Sequence, residues 1–309
     1  MSPSPRSFAR WSSKNQLIKT QRPWLLFISF TFLLSILALH LASFVLRHAN
    51  NLGRNCYSPL VPYTSVVPPV KSRPRMAIVS LSNQVQDAVW KNKKAYTKKM
   101  GYHFIDASWM VDKSRPPSWS KILAVKSALR DHDWVFWNDA DTLVTNPEIY
   151  LENILVALIG HSDFNSTPDL ILTADYNGVN AGVFFVRKSE WSERFLNTWW
   201  NQTSFVQFGS TRSGDNAALM FLIDNLPKEE SQVHVRISPM QCLFNSYPWF
   251  PSKKSVYRLM LSPWTIWQGA YSDGDFMVHF AGLQNKKKWV SRIIEDMRIP
   301  RRKIFYNPN

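Results

Sequence analysis

The stretch WVFWNDADTLV, residues 134–144, decides how the rest of the chain is read. Four bulky apolar residues predict a strand driven into a core, and the run then stops on two carboxylates separated by one alanine. In a strand the side chains alternate, so Asp139 and Asp141 are expected to point to the same side at its carboxyl end. Two like charges held together there call for a cation.

On either side, strand and helix patterns alternate. RMAIVSLS (75–82) and HFIDA (103–107) predict strands, with a helix-compatible segment up to Met100 between them. SWSKILAVKSALRDH (118–132) repeats its apolar residues at helical spacing and runs straight into the 134–144 stretch. A helix is expected from Pro147 to about Ile159, followed by strands LILTAD (170–175) and AGVFFVR (181–187) joined by the turn-rich link YNGVN. WSERFLNTWW and GDNAALMFLIDNL predict helices, HVRISPM and DFMVHFAG strands, and WVSRIIEDMR a closing amphipathic helix. This alternation predicts an α/β sandwich around a mainly parallel sheet. In such sheets ligands bind beyond the carboxyl ends of the strands, where the two aspartates, Asp175 and the HFAG stretch ending at Gly282 are all expected.

The formal charge of +15 invites a nucleic-acid reading, which its distribution removes. Residues 1–86 hold ten Lys and Arg and no acidic residue, leaving 27 basic against 22 acidic side chains for the remainder. The excess flanks WLLFISFTFLLSILALHLASFVL (24–46), 23 residues without formal charge and long enough to cross a bilayer. This core is longer than that of a cleaved signal peptide and ends on bulky residues, so an uncleaved anchor is expected. Arg6, Arg10, Lys14, Lys19 and Arg22 precede it and place residues 1–23 in the cytosol, with the large C-terminal part in the lumen. Residues 47–74, with five prolines, predict an extended stem, and residues 75–309 the folded domain. Two cysteines, Cys56 in the stem and Cys242 in the domain, make no disulfide framework; an interchain bridge through Cys56 or a free thiol is expected. Asn165-Ser-Thr and Asn201-Gln-Thr are glycosylation acceptors if they face the lumen.

His279 lies in the apolar strand FMVHF, and carboxylates with one imidazole suit Mn²⁺ better than a structural zinc, for which no thiols stand at useful spacing. An EF-hand lacks its glycine and its closing glutamate. A haloacid-dehalogenase-type phosphatase also uses an apolar strand followed by Asp-x-Asp. There the motif opens the domain before a glycine-rich turn, whereas here about 60 domain residues precede it and the turn is TLVTNP.

Taken in order, WSKILAVKSAL, WVFWNDAD, GVNAGVFFVRKSEWSERFLNTWW, GDNAALMFLI, NSYPW and DGDFMVHFAG resemble glycosyltransferase family 34 over roughly residues 75–285. That family includes fungal α-1,2-galactosyltransferases, Golgi α-1,6-mannosyltransferase subunits and plant xyloglucan xylosyltransferases. The resemblance implies a GT-A fold, with a Rossmann-like mixed sheet behind one transmembrane helix, and a UDP- or GDP-hexose donor. It further implies Mn²⁺, a glycan acceptor, retention of anomeric configuration and a Golgi membrane location. By the same resemblance Asp139, Asp141 and His279 hold the metal. Lys121, Asp139, Asn180, Gly182, Gly282 and Lys286 contact the donor, and Asp215 with Asn216 stands at the reacting sugar. Two positions depart from the family pattern: Asn216 replaces a glutamine, and Leu283 stands where many members have cysteine. Galactose or mannose is the favoured sugar, because SEWSERFLNTWW and YSDGDFMVHFAG look more like the fungal branch. Association with further copies or other Golgi transferases, and a non-catalytic scaffold role in such an assembly, stay open; a nucleic-acid partner is not expected.

Overall fold

The computed structural model describes residues 6–54, 56, 73–82, 87–166, 168–209 and 213–298, with side chains from Pro23 onward. After a long N-terminal helix, α1 (Arg6–Arg47), come β1 (Met76–Ser80), α2 (Asp87–Met100), β2 (His103–Asp106), α3 (Ser120–Ala128), β3 (Trp134–Asn138), β4 (Thr142–Val144) and α4 (Leu151–Ile159). The chain continues through β5 (Leu170–Asp175), β6 (Gly178–Arg187), α5 (Glu190–Trp200), α6 (Asp215–Asp224), α7 (Lys228–His234) and β7 (Val235–Ser238). It ends with α8 (Lys253–Leu261), α9 (Pro263–Gly269), β8 (Met277–His279) and α10 (Lys286–Arg298).

Six strands form one sheet in the order β2-β1-β3-β6-β5-β7. The β1–β2, β1–β3 and β5–β7 pairs are parallel, while β6 runs antiparallel to both β3 and β5. This is the α/β architecture expected, with a mixed, mostly parallel sheet. Strand β3 lies centrally, and its pleat explains the apolar run: Val135 and Trp137 enter the core on one face, Trp134 and Phe136 the core on the other. Phe136 stacks on its register partner Phe185 with ring centroids 4.3 Å apart.

Three expectations change. The turn-rich link YNGVN narrows to a turn at Tyr176 and Asn177, because β6 already begins at Gly178 and not at Ala181. The helix expected from Pro147 starts at Leu151. The apolar strand carrying His279 is not part of the main sheet: β8 pairs with β4 in an antiparallel two-stranded ribbon, with Thr142 opposite His279, and is bridged on its other side by Ser246.

Within α1, Pro23–Arg47 is a 25-residue stretch long and apolar enough to cross a membrane, with a mean hydropathy of 2.3. The residues after it are docked rather than extended. Leu46, Ala49, Asn50 and Arg54 are buried, and Cys56 is bonded to Cys242 with a Cα–Cα distance of 5.7 Å. The thiol expected to be free or to bridge two chains is thus consumed inside one, because residues 49–54 carry it onto the domain; the rest of the expected stem, 57–72, lies outside the described residues. The bridge joins positions 186 residues apart, so it removes much of the freedom of the unfolded chain. The Cys56→Ser/Cys242→Ser variant is expected to lose about 2–5 kcal/mol of stability. Thermal unfolding of the full chain measures this, and an unchanged midpoint would show the bridge to be mechanically idle.

Candidate metal and donor site

The main sheet sets the site's position and a turn sets its shape. β3 stops at Asn138, and Asp139, Ala140 and Asp141 form a turn closed by the Thr142 amide donating to the Asp139 carbonyl at 3.2 Å. The two aspartates therefore converge through the turn and not through strand alternation. Asp139 is fixed by its amide donating to the Gly182 carbonyl (2.8 Å) and by the Trp137 indole N–H donating to its Oδ1 (2.9 Å). Asp141 is carried into the β4–β8 ribbon, where its carbonyl accepts from the Phe280 amide at 2.9 Å. The ribbon also delivers His279, and ligand atoms of Asp139, Asp141 and His279 lie within 4.8 Å of one another.

A relay of amides fixes the imidazole. The Asp175 carboxylate accepts from Tyr247 (2.7 Å) and from Asn180 Nδ2 (3.3 Å), which turns Asn180 Oδ1 toward the Asn245 amide at 3.1 Å. Asn245 spends its two donors on Asn180 and on the Thr173 hydroxyl (2.8 Å), so its carbonyl oxygen faces His279 Nδ1 at 2.9 Å. A carbonyl only accepts, so Nδ1 carries a proton, and Nε2 is left facing Asp141 Oδ1 at 3.3 Å. With Nδ1 committed to a carbonyl, Nε2 is the ring nitrogen left to face Asp139 and Asp141, which fits a metal ligand set with a hydrogen-bonded second layer. Space agrees with charge: a Cβ on Gly182 would stand 2.3 Å from His279 Cε1 and 3.2 Å from Asp139 Oδ2, so only glycine lets the strand pass. The hard oxygen and borderline nitrogen donors suit Mn²⁺.

Positive charge surrounds the carboxylates. Lys286, at the start of α10, places Nζ 2.6 Å from Asp141 Oδ2. Burial pushes the Asp141 carboxyl up, but the attraction of His279 and Lys286 outweighs it and holds the group well below the usual carboxylate range. Lys121 of α3 is buried, with Nζ 2.9 Å from Asp215 Oδ2, 3.4 Å from Asp139 Oδ1 and 3.0 Å from the Ala181 carbonyl. Burial disfavours its charge, yet Asp139 and Asp215 more than compensate and raise its pKa above that of a free lysine.

Asp215 opens α6, where the helix dipole favours an anion. The turn before it needs Gly214, whose φ is 93° and whose Cβ would stand 1.7 Å from the Phe205 carbonyl oxygen. Ser213 and Ser118 donate to Asp215 Oδ1 at 2.6 and 2.9 Å. Against the opposing effect of burial, Lys121 and these hydroxyls keep its pKa low. Asn216 turns to the sheet: its Oδ1 accepts from the Ala181 amide (2.6 Å) and its Nδ2 donates to the Val179 carbonyl (3.1 Å). Gly282 lies in the turn beyond β8, two residues past Phe280, which bonds Asp141.

Of the positions expected from sequence, Asp139, Asp141, Lys121, Asn180, Gly182, Asp215, His279 and Lys286 are linked by these contacts, and Asn216 joins through the β6 backbone. Two others went unseen. Asn245, within NSYPW, orients His279 through contacts that no local pattern reveals. Lys93 is fully buried behind the turn, donating to the Ser80 hydroxyl and the Asp139 carbonyl, both at 2.9 Å. Burial lowers its pKa to about 7, opposed by Asp141 and Asp139. Its signal was present: Lys93 follows Val89 and Trp90 by four and three residues, on the face of α2 that the apolar spacing turns inward.

Residues 71–289 match the family described as the galactosyl transferase GMA12/MNN10 family. The chain is 26% identical over 219 residues to the probable alpha-1,6-mannosyltransferase MNN10 of Saccharomyces cerevisiae, a match covering 62% of this chain and 53% of that one. It is 25% identical over 242 residues to the probable alpha-1,2-galactosyltransferase gmh1 of Schizosaccharomyces pombe, covering 67% and 66%. The chain spans about half the length of most of the curated relatives it matches first. A solved glycosyltransferase involved in glycosylation of the major capsid of PBCV-1 superposes on 72% of this chain and 100% of its own, at 14% identity and a TM-score of 0.47.

Proposed function

Because the chain belongs to the galactosyl transferase GMA12/MNN10 family, we propose that it is a metal-dependent, retaining glycosyltransferase that moves a hexose from a UDP- or GDP-sugar to a glycan acceptor. The observation that carries this reading is the convergence of Asp139, Asp141 and a His279 whose Nε2 is turned toward them. Galactose and mannose are favoured, in keeping with the relatives named as galactosyl- and mannosyltransferases.

Asp139, Asp141 and His279 would hold Mn²⁺, whose charge would offset that of the donor's pyrophosphate and of the departing nucleotide. Lys286, at the partly exposed rim beside Asp141, would supply positive charge to the donor's phosphates. Asp215, kept ionised by Lys121, accepts hydrogen bonds from the sugar hydroxyls. Lys121 has its three nearest partners within the protein, so it serves the donor by fixing Asp139 and Asp215 relative to each other. Asn216 and Asn180 hold the β6 edge at Ala181 and Gly182, where the absence of a side chain at Gly182 leaves the sugar room. Gly282 shapes the loop leading to Lys286. The acceptor hydroxyl approaches on the face from which the nucleotide leaves, and its proton passes to the leaving phosphate oxygen.

The helix Pro23–Arg47 fits a type II anchor in the Golgi membrane, with residues 1–23 cytosolic and the domain lumenal. Asn165 and Asn201 are both exposed, as lumenal glycan acceptors must be.

The experiment uses the full chain in detergent or a nanodisc with a panel of UDP- and GDP-hexoses, recording nucleotide release with Mn²⁺ and with chelator. Release of one nucleotide that requires the metal is expected and names the donor. Release untouched by chelator would remove the metal, and a folded chain that binds neither UDP nor GDP with Mn²⁺ would remove the transferase reading.

A further inference from the structure

The residues at and just after the end of the apolar helix, 47–54, are tied to the site by a buried charge pair. Arg54 and Asp275 have side chains with no exposed surface, and the guanidinium Nη2 stands 2.6 and 2.7 Å from the two carboxylate oxygens. Arg54 also donates to Asn50 Oδ1 (3.0 Å), to the Trp267 carbonyl (3.2 Å) and to the Ala270 carbonyl. Asn50 returns a bond to Asp275 at 2.7 Å, and Arg47 pairs with Asp273. Nearby, the Cys56–Cys242 bridge fastens the same segment to the turn that precedes Asn245.

Asp275 is the point where this segment meets the metal ligands. Its Oδ2 accepts from the Ser246 hydroxyl at 2.6 Å and from the Ser272 amide at 2.9 Å. Ser246 follows Asn245, whose carbonyl orients His279, and the Ser246 carbonyl accepts from the His279 amide at 2.8 Å. Asp275 also lies two residues before β8, the strand that carries His279. The loop that orients the imidazole and the strand that bears it are therefore both pinned to one carboxylate. Burial lifts that carboxyl above the usual range even with Arg54 beside it, so its charge depends on the arginine.

We propose that Arg54 is a positioning residue for the metal site: from the segment next to the membrane-crossing helix it holds Asp275, and through Ser246 and Asn245 it sets the orientation of His279. This rests on Asp139, Asp141 and His279 being the metal ligands. It makes residues 47–56 a working part of the domain and not a tether, and a soluble domain cut after them would lack the counter-charge of a fully buried carboxylate.

The test measures Mn²⁺ affinity by equilibrium binding, and the unfolding midpoint in chelator, on the full chain and on two variants. Arg54→Gln is expected to lower the midpoint and to weaken Mn²⁺ binding by about tenfold or more, the usual size for a lost outer-layer contact. Ser246→Ala keeps the Arg54–Asp275 pair and removes the hydroxyl's bonds to Asp275 and to the Cys242 carbonyl, so it is expected to weaken Mn²⁺ binding several-fold with a smaller drop in midpoint than Arg54→Gln. Parent-like Mn²⁺ affinity in Arg54→Gln, or in Ser246→Ala where Arg54→Gln does not fold, overturns the proposal and leaves the segment as a structural tie. A parent chain that binds no Mn²⁺ overturns the metal reading beneath it, and the two failures are distinct.

Discussion

Asp141→Asn is expected to lower metal-dependent donor turnover by at least about 10³-fold, the scale of losing a group aimed at charge that develops in the transition state. The side chain keeps its volume and loses its charge. Its carboxylate is the one that both His279 and Lys286 face, at 3.3 and 2.6 Å, so an amide there removes an anionic ligand and leaves the Lys286 charge unmatched. Stability should respond less than activity. Lys286 is part-exposed and can return to water, and the imidazole keeps its bond to Asn245, so the metal-free protein should lose about 1–3 kcal/mol at most. Saturating Mn²⁺ separates the two effects. A ligand at 100 times its Kd stabilises the folded state by about 2.7 kcal/mol, a shift the parent should show and the variant should lack. A variant that keeps both the Mn²⁺-induced shift and turnover would remove Asp141 from the metal site.

Physical range explains which parts of this site are legible in the sequence. Asp139 and Asp141 announce themselves because a strand buried on both faces must be apolar throughout, and a sudden pair of acids at its end has no structural reason to be there. His279 stands out in the same way within FMVHF. The ribbon that joins these elements is hidden because β4 and β8 have three residues each, too short for an alternation to be counted. The relay from Asp175 through Asn180 and Asn245 is hidden for another reason: the Asn180–Asn245 bond spans 65 residues, and amides look alike whether they bond water or one another. Composition misled at residues 47–56. The five prolines that suggested an extended stem all lie at 59–74, beyond the docked residues, and neither the buried Arg54 nor the pairing of two cysteines 186 residues apart leaves any local period.

Lys121→Met is the second large effect, and it falls on stability before chemistry. The parent lysine sits between Asp215 and Asp139, and its own side chain and that of Asp215 are almost wholly enclosed. Replacing it with a thioether of similar length fills the space but strands a buried carboxylate, which costs about 3–5 kcal/mol. Against a typical domain stability of about 5–15 kcal/mol, that is more than half of the total at the lower end. The sign of the pH dependence identifies the cause. In the parent, Asp215 is held below the ordinary carboxylate range, so its contribution is present above the unfolded pKa and is lost as pH falls. Without Lys121 the burial of Asp215 goes unopposed except by Ser118 and Ser213, and its folded pKa rises above the unfolded value. Protonation then relieves the variant while it harms the parent, and the deficit should shrink as pH falls from about 7 toward about 4.5. Adding Asp215→Asn to Lys121→Met should restore part of the loss at neutral pH by removing the stranded charge. Denaturant unfolding of the three chains at both pH values measures this; a deficit that stays constant with pH would mean that lost packing, and not an unpaired Asp215, is what Lys121→Met costs.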